Sequence, residues 1–593
     1  MKSRFLQLFI LLTVAVLVAF ADEQPDWRTD YEKSGYLETP RYAATIDYCQ
    51  RLAAASDWVQ FASFGKSPQG RDLPLLIVDK NGNFDPAAVR KSGNLVLLIQ
   101  NGIHSGEIDG KDASLMLIRE MVITKKLAHL LDGVTAIFIP IFNVDGHENV
   151  SEYNRLNQNG PAEMGFRATA QNLNLNRDFL KAESPEMRAW LQLFNQWLPD
   201  FLVDNHVTDG SDHQYVLTYG VETNDNVAEP LRRWTTGVFQ PKIEQQMLAD
   251  KQPVMRYFSM KERPEIINGV VMEPYSPRYS TGYGAVQNRV FLLVETHALK
   301  DYRTRVTGNY LLMQHLFELL NSEKTTLQSI NRETDDITAR QLSGTTLPLD
   351  YVVNYRDTTW VDFLGIDYDM VPSDISGSNW VKYNGKPRTM RLPSFQHSDM
   401  SESAEMPFAY LIPKEWQFQI ETLKAHGVAV QYLQKPQQLS VQSYRLNNPV
   451  WRSRPFEGHL MVSFTPEIIN QTRDYPAGTA VILMNQRTNR VIAALLEPHA
   501  PDSFVRWGYW NTIFERKEYG EDYVLEAIAR EMIAQNPELK NEFEEALAND
   551  PEMAANRWSR LYYFYAKTPY FEDLGIYPVG KLMKATALPL VTE

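Results

Sequence analysis

Short, nearly continuous apolar runs alternate with longer stretches of helical spacing through the first half of the chain. Residues 94–100 (NLVLLIQ), 134–141 (VTAIFIPI), 201–203 (FLV) and 289–294 (RVFLLV) are read as buried strands. Residues 109–122 (DGKDASLMLIREMV) place apolar side chains along one helical face, and 185–197 and 228–248 read the same way. Residues 22–60 read as a helical lead-in and 303–322 as the helix closing this unit. Strands alternating with helices predict an α/β fold, with a mixed, mostly parallel central sheet flanked by helices. A polar segment at 323–345 is read as a linker. Beyond it, 346–593 carries short runs such as LDYVVNY, HLMVSF and TAVILM among Pro, Gly and Tyr, which predicts a β-rich region. Residues 523–567 return to helical spacing, with cap signals in NPELKNEFEEAL and NDPEMAANRW.

The balance of 44% hydrophobic and 22% charged residues over 593 positions fits a packed chain of more than one domain. A formal charge of −14 without a long Lys/Arg run argues against nucleic acid as a partner. The N-terminus carries Lys2 and Arg4, an apolar stretch from Phe5 to Phe20, and the small-x-small sequence Ala19-Phe20-Ala21. Residues 1–21 therefore read as a signal peptide of an exported protein, with no stable membrane insertion after its removal. No other stretch approaches the roughly 20 apolar residues of a span. Cys49 is the only cysteine, so no intramolecular disulfide can form. A disulfide-free exported protein suits a bacterial periplasm or exterior, and Cys49 itself reads as a buried small hydrophobe.

The chemistry concentrates at the predicted strand ends. His104-Ser105-Gly106-Glu107 directly follows the 94–100 strand and opens the next helix, so its imidazole and carboxylate can face one divalent metal ion. The spacing alone is weak, because His315 and Glu318 repeat it inside a Leu-rich helix, where it reads as ordinary amphipathic surface. His206, delivered by FLVDNH, is the expected third ligand, with His213 in the following loop as the local rival. Glu295 ends the 289–294 run; a carboxylate there is costly unless paired or functional, and it suits a general base. Asn176 and Arg177 suit the recognition of a substrate carboxylate. Arg155 and Arg167 are candidates for stabilising an oxyanion.

Taken in order, HSGE, FNVDGHE, NLNLNRDF, VDNH and LLVET resemble the motifs of the zinc carboxypeptidase family, the M14 metallocarboxypeptidases, over residues of about 40 to 320. RLNQNGP, NLNLNRDF and LLVETH are most similar to its bacterial exported branch. The resemblance implies one zinc ion per chain on His104, Glu107 and His206, with residues 22–322 as the catalytic domain. It implies Glu295 as general base, Asn176 and Arg177 as holders of the substrate carboxylate, and Arg155 as the arginine facing the scissile carbonyl. A mobile tyrosine is also implied; Tyr275, Tyr279 and Tyr283 compete for it, and Tyr279 is favoured. The expected substrates are peptides with a free C-terminal carboxylate, and a cell-wall peptide, an N-acyl amino acid or a non-catalytic binding role would be the alternatives. Two departures stand out: Gly106 where many members carry Arg, and Asn174 where others carry an Asp that supports a zinc-bound His. The resemblance hardly reaches residues 330–593.

Overall fold

The computed structural model describes residues 25–208, 210–340 and 344–592. The expected signal peptide, residues 1–21, lies outside the described residues. Eight strands make the central sheet: β1 (Val59–Lys66), β2 (Asp72–Val78), β3 (Leu95–Asn101), β4 (Val134–Ile139), β5 (Phe201–Thr208), β6 (Leu217–Gly220), β7 (Val254–Arg256) and β10 (Val290–His297). Two short strands between them, β8 (Ser259–Met260) and β9 (Val270–Val271), join a different sheet. The spatial order is β1-β2-β4-β3-β5-β10-β6-β7. The central strands β4, β3, β5 and β10 run parallel, while β2 pairs antiparallel with β1 and β4, and β6 with β10. This is the mixed, mostly parallel sheet expected from the alternating pattern.

β3 and β5 are buried along their whole length because both faces are covered. Val96, Leu98 and Leu202 belong to an apolar layer with Trp190 and Phe194 of the helix Pro185–Trp197. Leu97, Ile99 and Val203 pack on the other side, with Leu117 and Ile118 of Asp109–Val122 and Leu316 and Leu320 of Tyr302–Ala339. The first layer does not stop at the sheet. It continues through Tyr410, Ile482, Val491 and Trp510, far along the chain. That C-terminal half contains a seven-stranded sheet, a long hairpin of Thr359–Pro372 with Asn379–Phe395, and helices between Asp522 and Tyr565.

The 323–345 segment, expected to be a linker, is helix as far as Ala339. Its buried positions Leu327, Asn331, Thr334 and Thr338 are spaced four, three and four residues apart, as a helix face requires, but three of the four are polar. Asn331 Nδ2 donates to the Asp200 carbonyl (3.0 Å) and Thr338 Oγ1 to Asn288 Oδ1 (3.1 Å). A hydropathy pattern does not register a buried stripe made largely of polar residues. The helix expected over 228–248 forms as Glu229–Trp234 and Gln240–Ala249 joined by one wide turn, Thr235–Phe239, just ahead of Pro241, which has no N–H to donate. Cys49 is fully buried in the helix Tyr42–Ala55, and burial pushes its thiol up to about 12. Among the described residues no helix is long and apolar enough to cross a membrane.

Candidate active site

The carboxyl ends of β3, β5 and β10 lie side by side, where open α/β sheets bind ligands. β3 ends at Asn101, and Gly102 turns the chain at φ 65°, a conformation favourable only to glycine. In the turn that follows, Glu107 N donates to His104 O (2.9 Å), which brings the two side chains to one side. Gly106 answers a close approach: a Cβ there would lie 2.7 Å from Cγ of Arg155 and 2.8 Å from the Gly165 carbonyl oxygen. The arginine of the family pattern has no room at this position, because the stem of Arg155 runs across it. On β5, Asp204 and His206 are two residues apart and share a face. Glu295 stands on β10 at the same rung as His206.

His104 Nδ1 and His206 Nδ1 are 3.2 Å apart, and Glu107 Oε2 lies 3.2 Å from the first and 3.0 Å from the second. All three residues are buried, and this is the one His/Cys/Asp/Glu cluster of metal-binding geometry among the described residues. The outer nitrogens decide what these atoms can do. His206 Nε2 is 2.9 Å from Asp204 Oδ2, and His104 Nε2 is 3.0 Å from Asn174 Oδ1. Each outer nitrogen therefore carries the ring proton, and each inner Nδ1 presents a bare lone pair. Two lone pairs and a carboxylate oxygen in mutual contact repel unless a cation lies between them. The donor set, two imidazoles and one carboxylate, is one that catalytic zinc sites use. A proton is the alternative occupant: against the cost of burial, Asp204 raises His206 well above its ordinary range, while burial lowers His104 to about 4.

A cleft of about 290 Å³ opens over the triad, walled by Arg167, Asn176, Arg177, Tyr275, Tyr279 and Glu295. Burial pushes Glu295 up to about 8, with His206 pulling down and Glu107 pushing up. Among the described residues its carboxylate has no hydrogen-bond partner, so it faces the cleft free. Against the cost of burial, His104 and Arg155 hold Glu107 well below the usual carboxylate range. Arg155 Nη1 and Arg167 Nη1 both reach Glu107 Oε1, at 2.8 and 3.2 Å. Arg155 also spends Nε on Gln158 and Nη2 on the Val207 carbonyl, and its side chain is 15% exposed against 41% for Arg167.

Arg177 lies across the cleft. Its guanidinium carbon is 4.3 Å from the centre of the Tyr279 ring, and Nη1 donates to the Asn176 carbonyl (2.6 Å). No carboxylate pairs with it among the described residues, since neighbouring Asp178 is engaged by Lys181 (2.7 Å). Asn176 is buried, and its Oδ1 accepts from Ser280 N (3.3 Å).

The structure thus gathers His104, Glu107, His206, Glu295, Arg155, Asn176, Arg177 and Tyr279 around one cleft. Of the competing tyrosines, Tyr275 joins the wall and Tyr283 does not: it is fully buried, with its Oη 2.8 Å from His426 Nδ1. His213 stacks on His297 at 4.0 Å, away from the triad, and His315 contacts Glu318 on its own helix (3.1 Å) and Asp250 at the end of the helix Gln240–Ala249 (2.7 Å). Two supporting residues were not assigned from sequence. Asp204 could have been found as the residue two before His206 on the same strand face. Asn174 stood as a loss, yet its amide oxygen supplies the acceptor that an Asp would.

Residues 45–229 match the family described as zinc carboxypeptidase. Carboxypeptidase 2 of Trichophyton rubrum is 20% identical over 487 residues, spanning 78% of this chain and 82% of the fungal one. The Trichophyton tonsurans protein of the same name is 21% identical over 495 residues, with the same coverage. Among solved structures, a putative carboxypeptidase A from Shewanella denitrificans covers 48% of this chain and 69% of its own at 17% identity, with a TM-score of 0.37. Carboxypeptidase A from Helicoverpa armigera covers 54% and 81% at 16% identity, also with a TM-score of 0.37. The family match spans β3, β4 and β5 and takes in the cluster of His104, Glu107 and His206, so the segment that supplies the triad, residues 45–229, is the part of this chain that matches the zinc carboxypeptidase family.

Proposed function

We propose that the chain is an exported, periplasmic or extracellular, zinc-dependent carboxypeptidase that hydrolyses the C-terminal peptide bond of peptides. The observation that carries this reading is the pairing of three convergent bare acceptors, on His104, Glu107 and His206, with an unpaired Arg177 across the same cleft. One acidic–imidazole triad suits a divalent ion, and one lone guanidinium suits a terminal carboxylate. Zinc held by His104 Nδ1, Glu107 and His206 Nδ1 would supply Lewis acidity at the scissile carbonyl and acidify water. Arg177 and Asn176 hold the substrate's terminal carboxylate and so fix which bond lies over the triad. Glu295, free and facing the cleft, takes a proton from the attacking water and returns it to the leaving amine. Asp204 and Asn174 keep the two imidazoles in the metal-binding tautomer.

The two arginines divide their work. Arg155, with every nitrogen committed, clamps Glu107. Arg167 spends one nitrogen there and, with its greater exposure, is the better placed of the two to face a developing oxyanion. Residues 22–322 carry this chemistry, and 346–593 form an accessory region built against them.

The test is hydrolysis of peptides with a free C-terminus against their amides, with zinc content measured before and after chelation. Release of single C-terminal residues from free peptides only, lost on chelation and restored by zinc, is the expected result. Purified protein without stoichiometric zinc and without turnover would overturn the reading; cleavage confined to muropeptides or N-acyl amino acids would reassign the substrate.

A further inference from the structure

The C-terminal half reaches the cleft at three points, and each contact falls on a loop that carries site residues. The first is a turn near residues 455–459, closed by reciprocal backbone bonds between Phe456 and His459 (2.9 and 3.0 Å). Within it Glu457 adopts φ 49°, a conformation L side chains rarely take. Its Oε2 accepts a hydrogen bond from Asn174 N (2.9 Å). Asn174 is where the site's two functions meet: its Oδ1 is the partner of His104 Nε2, and the same oxygen accepts from Asn176 N (3.0 Å). One carboxylate thus secures the residue that orients a metal ligand and opens the turn carrying Asn176 and Arg177.

The other two contacts brace the same walls. His459 Nε2 lies 2.8 Å from Glu183 Oε1, and Glu183 shares Lys181 with Asp178, next to Arg177. Asp502 holds Arg278 through Nε (2.6 Å) and through its backbone N (2.9 Å), one residue before Tyr279. Glu457 differs from these two because only one residue separates it from both His104 and Asn176. Its negative charge also bears on Arg177.

We propose that Glu457 is a positioning residue for the substrate-carboxylate site and for His104, acting through Asn174, so that the active site is completed by the C-terminal half. The part concerning substrate rests on the carboxypeptidase reading; the part concerning His104 does not.

The test uses the full chain loaded with zinc. Glu457→Ala is expected to raise KM for free-carboxylate peptides about tenfold, at the lower end of what outer partners of ligands contribute, with a smaller change in kcat. It should also speed the stripping of zinc by a chelator, a readout independent of turnover. Glu457→Gln keeps an oxygen that can accept from Asn174 N and should stay within about twofold of wild type in both measures. In an Asn174→Ala background, Glu457→Ala should add little further, because the side chain through which it acts is gone. Wild-type KM and chelator resistance in Glu457→Ala, equal damage from Ala and Gln, or effects that multiply in the double variant would each overturn the proposal. So would a Glu457→Ala protein whose melting temperature falls in step with its KM, since Glu457 would then be a structural tie. If the wild-type chain hydrolyses no C-terminal bond, the proposed function fails while the chelator comparison still decides the link to His104.

Discussion

His206 and Glu295 occupy the same rung of two adjacent parallel strands, so an imidazole whose Nδ1 faces inward and a free carboxylate stand side by side at the strand ends. The sheet itself sets their separation, without any loop having to hold it. Glu295→Gln is therefore expected to keep its zinc while turnover falls by roughly 10²–10⁴-fold, the range of a lost general base. Normal turnover in that variant, with zinc content measured in the same sample, would remove Glu295 from its role.

The metal assignment separates two His-x-x-Glu pairs. His206→Ala should lose stoichiometric zinc, and His315→Ala should retain it. Asp204→Ala, which removes only the partner of His206 Nε2, should weaken zinc by about 10- to 100-fold. Chelator competition on the three purified variants checks the order.

Arg177 is expected to set the demand for a free C-terminus. Arg177→Ala should lower kcat/KM for free-carboxylate peptides by roughly 10- to 150-fold, equivalent to about 1.5–3 kcal/mol, as for a hydrogen bond to a charged group. Slow cleavage of the corresponding amides should hardly change. Equal losses on both substrates would place Arg177 in the fold and not at the carboxylate.

How much of this was legible in the sequence follows from what each residue is buried by. β3, β4, β5 and β10 are covered on both faces, so their apolar runs are nearly continuous and their carboxyl ends could be located, with His104, His206 and Glu295 on them. The helical stretch after residue 322 was missed because Asn331, Thr334 and Thr338 are buried by hydrogen bonds and packing that hydropathy does not record. Tyr283 could be set aside only once it was seen enclosed by Trp190, Phe194 and Phe291. Glu457 gave no signal at all: its partner Asn174 lies 283 positions away, and an isolated Glu in a turn has no pattern.

Glu222 offers a pH test away from the His104–Glu107–His206 triad. Burial raises its carboxyl to about 7, partly offset by the hydrogen bond from Tyr275 N (2.9 Å). A raised carboxyl favours the protonated folded state, so its contribution is fully present below the ordinary value of 4.5 and is lost as pH rises toward 7. Glu222→Gln should accordingly be more stable than wild type at pH 8, by up to about 3 kcal/mol, and gain nothing near pH 4.5. Urea unfolding at both pH values reads the difference; a gain confined to low pH would contradict the sign.

Asp109 and Arg305 form a fully buried pair (Nε–Oδ2 2.8 Å) just after the turn that carries His104 and Glu107, and Arg305 also donates to the carbonyls of Asn159 and Gly160 (2.6 and 2.7 Å), beside the loop that carries Arg155. Arg305→Met strands the Asp109 charge and should destabilise by about 3–5 kcal/mol, measured by denaturant unfolding. Asp109→Asn in the same chain should recover part of that loss.

The helix Tyr302–Ala339 is a single rod of 38 residues, roughly 57 Å long at 1.5 Å per residue. Its first turns pack with the central strands whose ends carry the triad, while near its far end Asn489 of the C-terminal half donates to the Thr338 carbonyl (2.8 Å). A protein cut at residue 322 would sever that rod in mid-course and uncover the apolar layer shared by Trp190 and Val491. Such a fragment, with every proposed catalytic side chain present, should come out of cells aggregated, whereas the uncut chain should not.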